Sequence, residues 1–202
     1  MLKNIIFDFG NVLIDYDPDK ILDHYDVNDE ERAIFKKNIF GSKEWLEVDA
    51  GRITEDEATD IFKRELPAEL KPKIEKIMTS WPEEVIYFPK MLAFVKDMHQ
   101  KGYHLFALSN TGMRFANYLM STDYGKYFEG EVFSAAEKLM KPDPKIYQIL
   151  LNRYQLVPDE CLFIDDRPEN TETAQKLGMH VFTFNIKKLP ELKEYINELK
   201  NI

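Results

Sequence analysis

Residues 4–13, NIIFDFGNVL, constrain this chain more than any other segment. Ile5, Ile6 and Phe7 form an unbroken β-branched and aromatic run, the composition of a short strand buried on both faces of a parallel sheet. The run breaks at a single carboxylate, Asp8, and a Gly10-Asn11 turn follows. In open parallel sheets ligands bind in the crevice beyond the carboxyl ends of the strands, so an Asp delivered there is placed for chemistry. By itself such an Asp fits an Asx turn or a helix cap equally well.

The pattern recurs twice. Residues 103–111, YHLFALSNT, are a second apolar run ending in Ser109, Asn110 and Thr111, and residues 161–170, CLFIDDRPEN, are a third ending in the pair Asp165-Asp166. Between them, in EKLMKPDPKIY, Lys141 precedes Pro142. Each motif alone is a loop or a turn. In this order they make a chemical set: a nucleophile, donors to phosphate oxygens, a cation, and carboxylates for a metal.

Elsewhere the chain alternates. Helical periodicity is predicted from Pro89 to Gly102, around 113–120, over 144–154, after Pro168 to a Gly178 cap, and over 189–199; strands are predicted near 103–108, 130–134, 161–164 and 180–184. Strands alternating with helices predict a parallel sheet. From about 17 to 81 the strand pattern stops and the sequence is charged and helical in period. Thr54 and Glu57 read as a capping box, and Ala58, Ile61 and Phe62 follow at helical spacing. The fold expected is a three-layer, doubly wound α/β sheet (1–15 and 85–202) interrupted by a helical cap (16–84).

These motifs resemble those of the haloacid dehalogenase superfamily of hydrolases across nearly the whole chain. The first motif resembles the FD-x-GNV subgroup, which includes bacterial phosphatases of the α-D-glucose-1-phosphate type. The resemblance implies a Mg²⁺-dependent phosphatase of small phosphorylated metabolites, sugar phosphates foremost, working through an aspartyl phosphate. Asp8 would be the nucleophile. Asp8, the Gly10 carbonyl and Asp166 would hold Mg²⁺, with Asp165 orienting waters and Asn170 in a supporting role near the metal. Ser109, Asn110 and Lys141 would bind the phosphoryl group, Lys141 also steadying the nucleophile, and Thr111 is the weaker match. A carboxylate can attack phosphorus only where the phosphoryl charge is neutralised, and octahedral oxygen sites are the habit of Mg²⁺.

One position departs from the family pattern. The phosphatase motif has an Asp two residues after the nucleophile as proton donor, and this chain has Gly10. General acid catalysis contributes about 10²- to 10⁴-fold, so anomeric and aryl phosphates are expected to be favoured unless a cap residue or water replaces the acid. Haloalkanoic acid dehalogenases also lack that Asp, which keeps a 2-haloacid dehalogenase as an alternative, beside a catalytically weak phosphate-binding regulatory protein. The paired late carboxylates weigh against both.

Composition narrows the partners. With 202 residues, 44% of them hydrophobic, the chain can bury a large core. A formal charge of −9 disfavours nucleic acid and anionic membranes. No apolar run approaches the roughly 18 residues of a membrane span. The first residues lead straight into the expected strand, leaving no signal peptide, and the single Cys161 allows no internal disulfide. A cytoplasmic protein, monomeric or weakly self-associating, is the expectation. The four histidines show no metal-ligand spacing; Trp45 and Arg52 lie in the cap, where they could touch substrate, but neither is placed among the site residues and Trp45 is read as core packing.

Overall fold

The computed structural model describes residues 1–200. Five strands, β1 (Asn4–Phe7), β4 (His104–Ser109), β5 (Gly130–Phe133), β6 (Cys161–Asp165) and β7 (His180–Thr183), form one parallel sheet in the order β5-β4-β1-β6-β7. β1 is buried along its length, and its side chains alternate between two cores. Ile5 and Phe7 pack with Phe94, Val95, Leu192 and Ile196, while Ile6 packs with Ile146, Tyr147, Leu150 and Ala174. Those partners lie on α6 (Pro89–Gln100) and α11 (Leu189–Leu199) on one face, and on α9 (Pro144–Arg153) and α10 (Pro168–Lys176) on the other. An apolar run unbroken in sequence is what a strand covered on both faces requires.

The strand order reverses at β1, so β4, β1 and β6 carry their C-terminal ends to the crevice where open α/β sheets bind ligands. Ser109 and Asp165 end β4 and β6, and Asp8 follows β1, its N–H donating to the Ile164 carbonyl at 2.9 Å.

Two short strands, β2 (Ile14–Asp15) and β3 (Ile86–Tyr87), pair antiparallel. This pair is not among the strands expected from sequence, because two residues each are too few for a period to show. Between them run five α-helices: α1 (Pro18–Leu22), α2 (Asp29–Phe35), α3 (Lys43–Asp49), α4 (Glu55–Glu65) and α5 (Lys71–Ser80). The capping box at α4 is formed, Glu57 N–H donating to Thr54 Oγ1 at 3.1 Å and Thr54 N–H to Glu57 Oε2 at 2.7 Å.

The helical insertion meets the core closely at Gly51. Gly51 has φ +67, and a Cβ there would meet the Ala135 carbonyl oxygen at 2.1 Å. Ala135 belongs to α8 (Ser134–Glu137), which follows β5. Gly51→Ala therefore faces both backbone strain and a clash with main chain, and is expected to lower the urea unfolding midpoint by more than about 1 kcal/mol in stability. An unchanged midpoint would show that the cap can lift here at no cost.

Candidate active site

At the centre of the crevice lies the Lys141 ammonium, with a side chain only 1% exposed. Its Nζ is 2.9 Å from Asp8 Oδ1 and 2.6 Å from Asp165 Oδ2, donates to the Leu108 carbonyl at 2.8 Å, and sits over the Phe163 ring. Burial works against this charge, yet Asp8 and Asp165 together overcome it and hold the lysine above its ordinary range. A buried cation ringed by acceptors is stable only when its partners are in place.

Asp165 is fully buried, and both of its oxygens are engaged: Oδ2 by Lys141, Oδ1 by the Arg167 N–H at 2.9 Å, and both by Asn170 Nδ2 at 2.9 and 3.0 Å. This residue orients Lys141, and Asn170 in turn orients it. Asp8 is buried but turned to the crevice. Burial pushes its carboxyl up to about 6, with Asp165 adding to the shift, against the pull of Lys141 and of the Ser109 hydroxyl. Asp166 is partly buried and accepts from Asn11 Nδ2 at 3.1 Å; Asn11, in the turn after Gly10, has φ 55. Asn11 thus has a bond in the site that the sequence reading, which saw only its turn, does not assign.

Asp8, Asp165 and Asp166 each offer a carboxylate oxygen, all within 4.8 Å of one another. Three carboxylates against a single lysine leave negative charge in excess, and their donor atoms are all oxygen, the set a hard divalent cation takes. Asp8 and Asp166 are the carboxylates with oxygens to give. These residues fit Mg²⁺, which when bound neutralises phosphoryl oxygens as a carboxylate approaches them.

Asn110 Nδ2 donates to the Lys141 carbonyl at 2.9 Å and its Oδ1 accepts from the Lys141 N–H at 2.8 Å. The side chain is a two-point brace for the lysine backbone. Thr111 N–H donates to Ser134 Oγ at 2.8 Å, which ties this loop to α8.

These groups open into a cavity of about 470 Å³, a size suited to one small-molecule ligand. Its floor carries Asp8, Ser109, Asn110, Lys141 and Asp166, and its cap side carries Tyr16, Trp45, Asp49 and Trp81. Trp45, read from sequence as packing outside the site, is 8% exposed and lines the cavity, its ring 5.1 Å from that of Trp81, which stacks on Phe115 at 5.2 Å. Arg52 lies elsewhere, paired with Glu47 at 2.7 Å. No histidine lines this cavity.

A family model of haloacid dehalogenase-like hydrolases matches residues 2–178. The chain belongs to this family. Among curated relatives of this hydrolase, D-ribitol-5-phosphate phosphatase of Bacteroides thetaiotaomicron is 27% identical over 198 residues, covering 90% of this chain and 91% of the relative. A phosphorylated carbohydrates phosphatase of Thermotoga maritima is 26% identical over 187 residues, covering 88% and 82%. A haloacid dehalogenase family enzyme of B. thetaiotaomicron, crystallised with magnesium and inorganic phosphate, superposes with a TM-score of 0.70 at 23% identity, covering 91% of this chain and 94% of that one. That likeness speaks for the shared fold. No helix among the described residues is long and apolar enough to cross a membrane.

Proposed function

We propose that this hydrolase is a Mg²⁺-dependent phosphatase of small phosphorylated carbohydrates and polyols. The observation that carries this reading is the Asp8–Lys141–Asp165 array: a buried carboxylate 2.9 Å from a buried ammonium, beside carboxylates able to share a dication. Asp8 attacks phosphorus, Lys141 holds the charge that gathers between them, and the loop at Ser109 and Asn110 offers hydroxyl and main-chain N–H donors to phosphoryl oxygens. Asp8, Asp166 and the Gly10 carbonyl would hold the metal.

The cavity walls support the substrate class. Tyr16, Trp45 and Trp81 line the cavity from the cap side with aromatic rings. Aromatic faces suit the C–H faces of a carbohydrate. The relatives that act on ribitol 5-phosphate and on phosphorylated carbohydrates agree with this class. Glucose 1-phosphate is one member of it, and the relatives do not single it out.

A panel of sugar and polyol phosphates, assayed with and without Mg²⁺ and with 2-chloropropionate as a second arm, tests the reading. Phosphate release that needs Mg²⁺ is expected, with chelation by EDTA abolishing it. Asp166→Ala should raise the half-saturating Mg²⁺ concentration at least tenfold, the scale set by the loss of one charged ligand. Halide release, or phosphate release undiminished after exhaustive chelation, would contradict it.

A further inference from the structure

Asp8 and Asp166 line the cavity from the core; the one carboxylate among the described residues that lines it from the cap is Asp49. It ends α3 and is hydrogen-bonded to the core through both its side chain and its main chain. Gly112 N–H donates to its Oδ1 at 2.9 Å, and Ser134 Oγ donates to its carbonyl at 2.5 Å while accepting from Thr111 N–H. Asp49 is thus fastened to the very loop that carries Ser109 and Asn110. Because the Gly112 amide occupies Oδ1, a proton on this carboxyl is carried by Oδ2. In-line displacement at phosphorus puts the departing oxygen opposite the attacking one. With Asp8 on the floor, that oxygen points to the cap side, and at residue 10 a Cβ would meet nothing within 4 Å.

We propose that Asp49 is the proton donor and acceptor of this phosphatase, taking from the cap the part that Gly10 cannot play. The inference rests on the phosphatase reading. In the first step Asp8 forms a bond to phosphorus, the bond from phosphorus to the leaving oxygen breaks with its electron pair on that oxygen, and Asp49 gives it a proton to form the alcohol. In the second, water attacks phosphorus from the same side and gives its proton to the Asp49 carboxylate. The phosphorus bond to Asp8 breaks, and inorganic phosphate, free Asp8 and protonated Asp49 result.

The surroundings support this exchange. Burial drives the Asp49 carboxyl up to about 7, Glu55 at the start of α4 adds to the shift, and the Gly112 N–H draws it down. Tyr16, whose own hydroxyl is pushed up by burial and by Asp49, faces it from beyond β2. Across the cavity lie Asp8, Asp166 and Lys141. An acid that must be protonated for the first step loses activity as pH rises through its pKa.

Asp49→Asn keeps an oxygen for the Gly112 N–H and removes the proton. At saturating Mg²⁺ it is expected to lower kcat/KM for primary alkyl phosphates about 10²- to 10⁴-fold, while first-turnover release of p-nitrophenolate from p-nitrophenyl phosphate falls less than about tenfold, because that leaving group needs no proton. The wild-type kcat/KM for alkyl phosphates should decline above about pH 7, Asp49→Glu should keep such a decline, and Asp49→Asn should not. Equal losses for alkyl and aryl substrates, an alkyl rate within threefold of wild type, or the same pH profile in Asn and Glu variants would each overturn the assignment and leave the phosphatase reading standing. A wild-type protein that hydrolyses no phosphomonoester would overturn both.

Discussion

Asp8→Asn is expected to abolish turnover, by about 10⁴-fold or more in kcat, while leaving the fold in place. The carboxamide keeps the shape of the side chain but is no nucleophile toward phosphorus. Lys141 still has Asp165 at 2.6 Å and the Leu108 carbonyl at 2.8 Å, so its charge stays compensated after the exchange. The unfolding midpoint should therefore move little, and substrate binding should survive. Hydrolysis near the wild-type rate by a folded Asp8→Asn protein would remove the covalent mechanism.

Lys141→Met is expected to cost both activity and stability, and this separates it from Asp8→Asn. Removing the ammonium leaves Asp8 and Asp165 facing each other, one buried and the other wholly so, without the cation between them. Breaking a buried pair from one side typically costs about 3–5 kcal/mol, against the net worth of the intact pair, which is far smaller. Urea unfolding without added Mg²⁺ checks this directly. A midpoint equal to wild type would mean that the two carboxylates share a proton or a water at no cost, and that the lysine does not organise the site.

Much of this arrangement is legible in the sequence because the sheet interior leaves little choice. β1, β4 and β6 are central strands, covered on both faces, so each shows as an unbroken apolar run, and the first polar residue beyond each run lies at the crevice. That places Asp8, Ser109 and Asp165 before any contact is known. Lys141 is legible through its motif alone, since a lysine before a proline is otherwise a loop residue.

The cap side is not legible in the same way. Asp49 sits in LEVDAGRI, which reads as the end of an amphipathic helix; its hydrogen-bond partners are Gly112 and Ser134, 63 and 85 residues away in the chain. Trp45 looks like packing from its spacing and does pack, on Phe40 at 4.9 Å, but its remaining edge faces the cavity. Asn110 shows the converse: a residue in the right motif whose amide is drawn to the Lys141 backbone. Helical period reports which face is apolar. It does not report whether that face meets another helix or a substrate.

The central claim is that the phosphoryl group passes through Asp8. Hydrolysis of a phosphorothioate monoester made chiral at phosphorus by oxygen isotopes, in isotopically labelled water, tests it without requiring any intermediate to accumulate. Two successive in-line displacements, the first by Asp8 and the second by water, return the original configuration, so retention is the predicted outcome. Inversion would mean that water attacks the substrate directly, and that Asp8 does something other than accept the phosphoryl group.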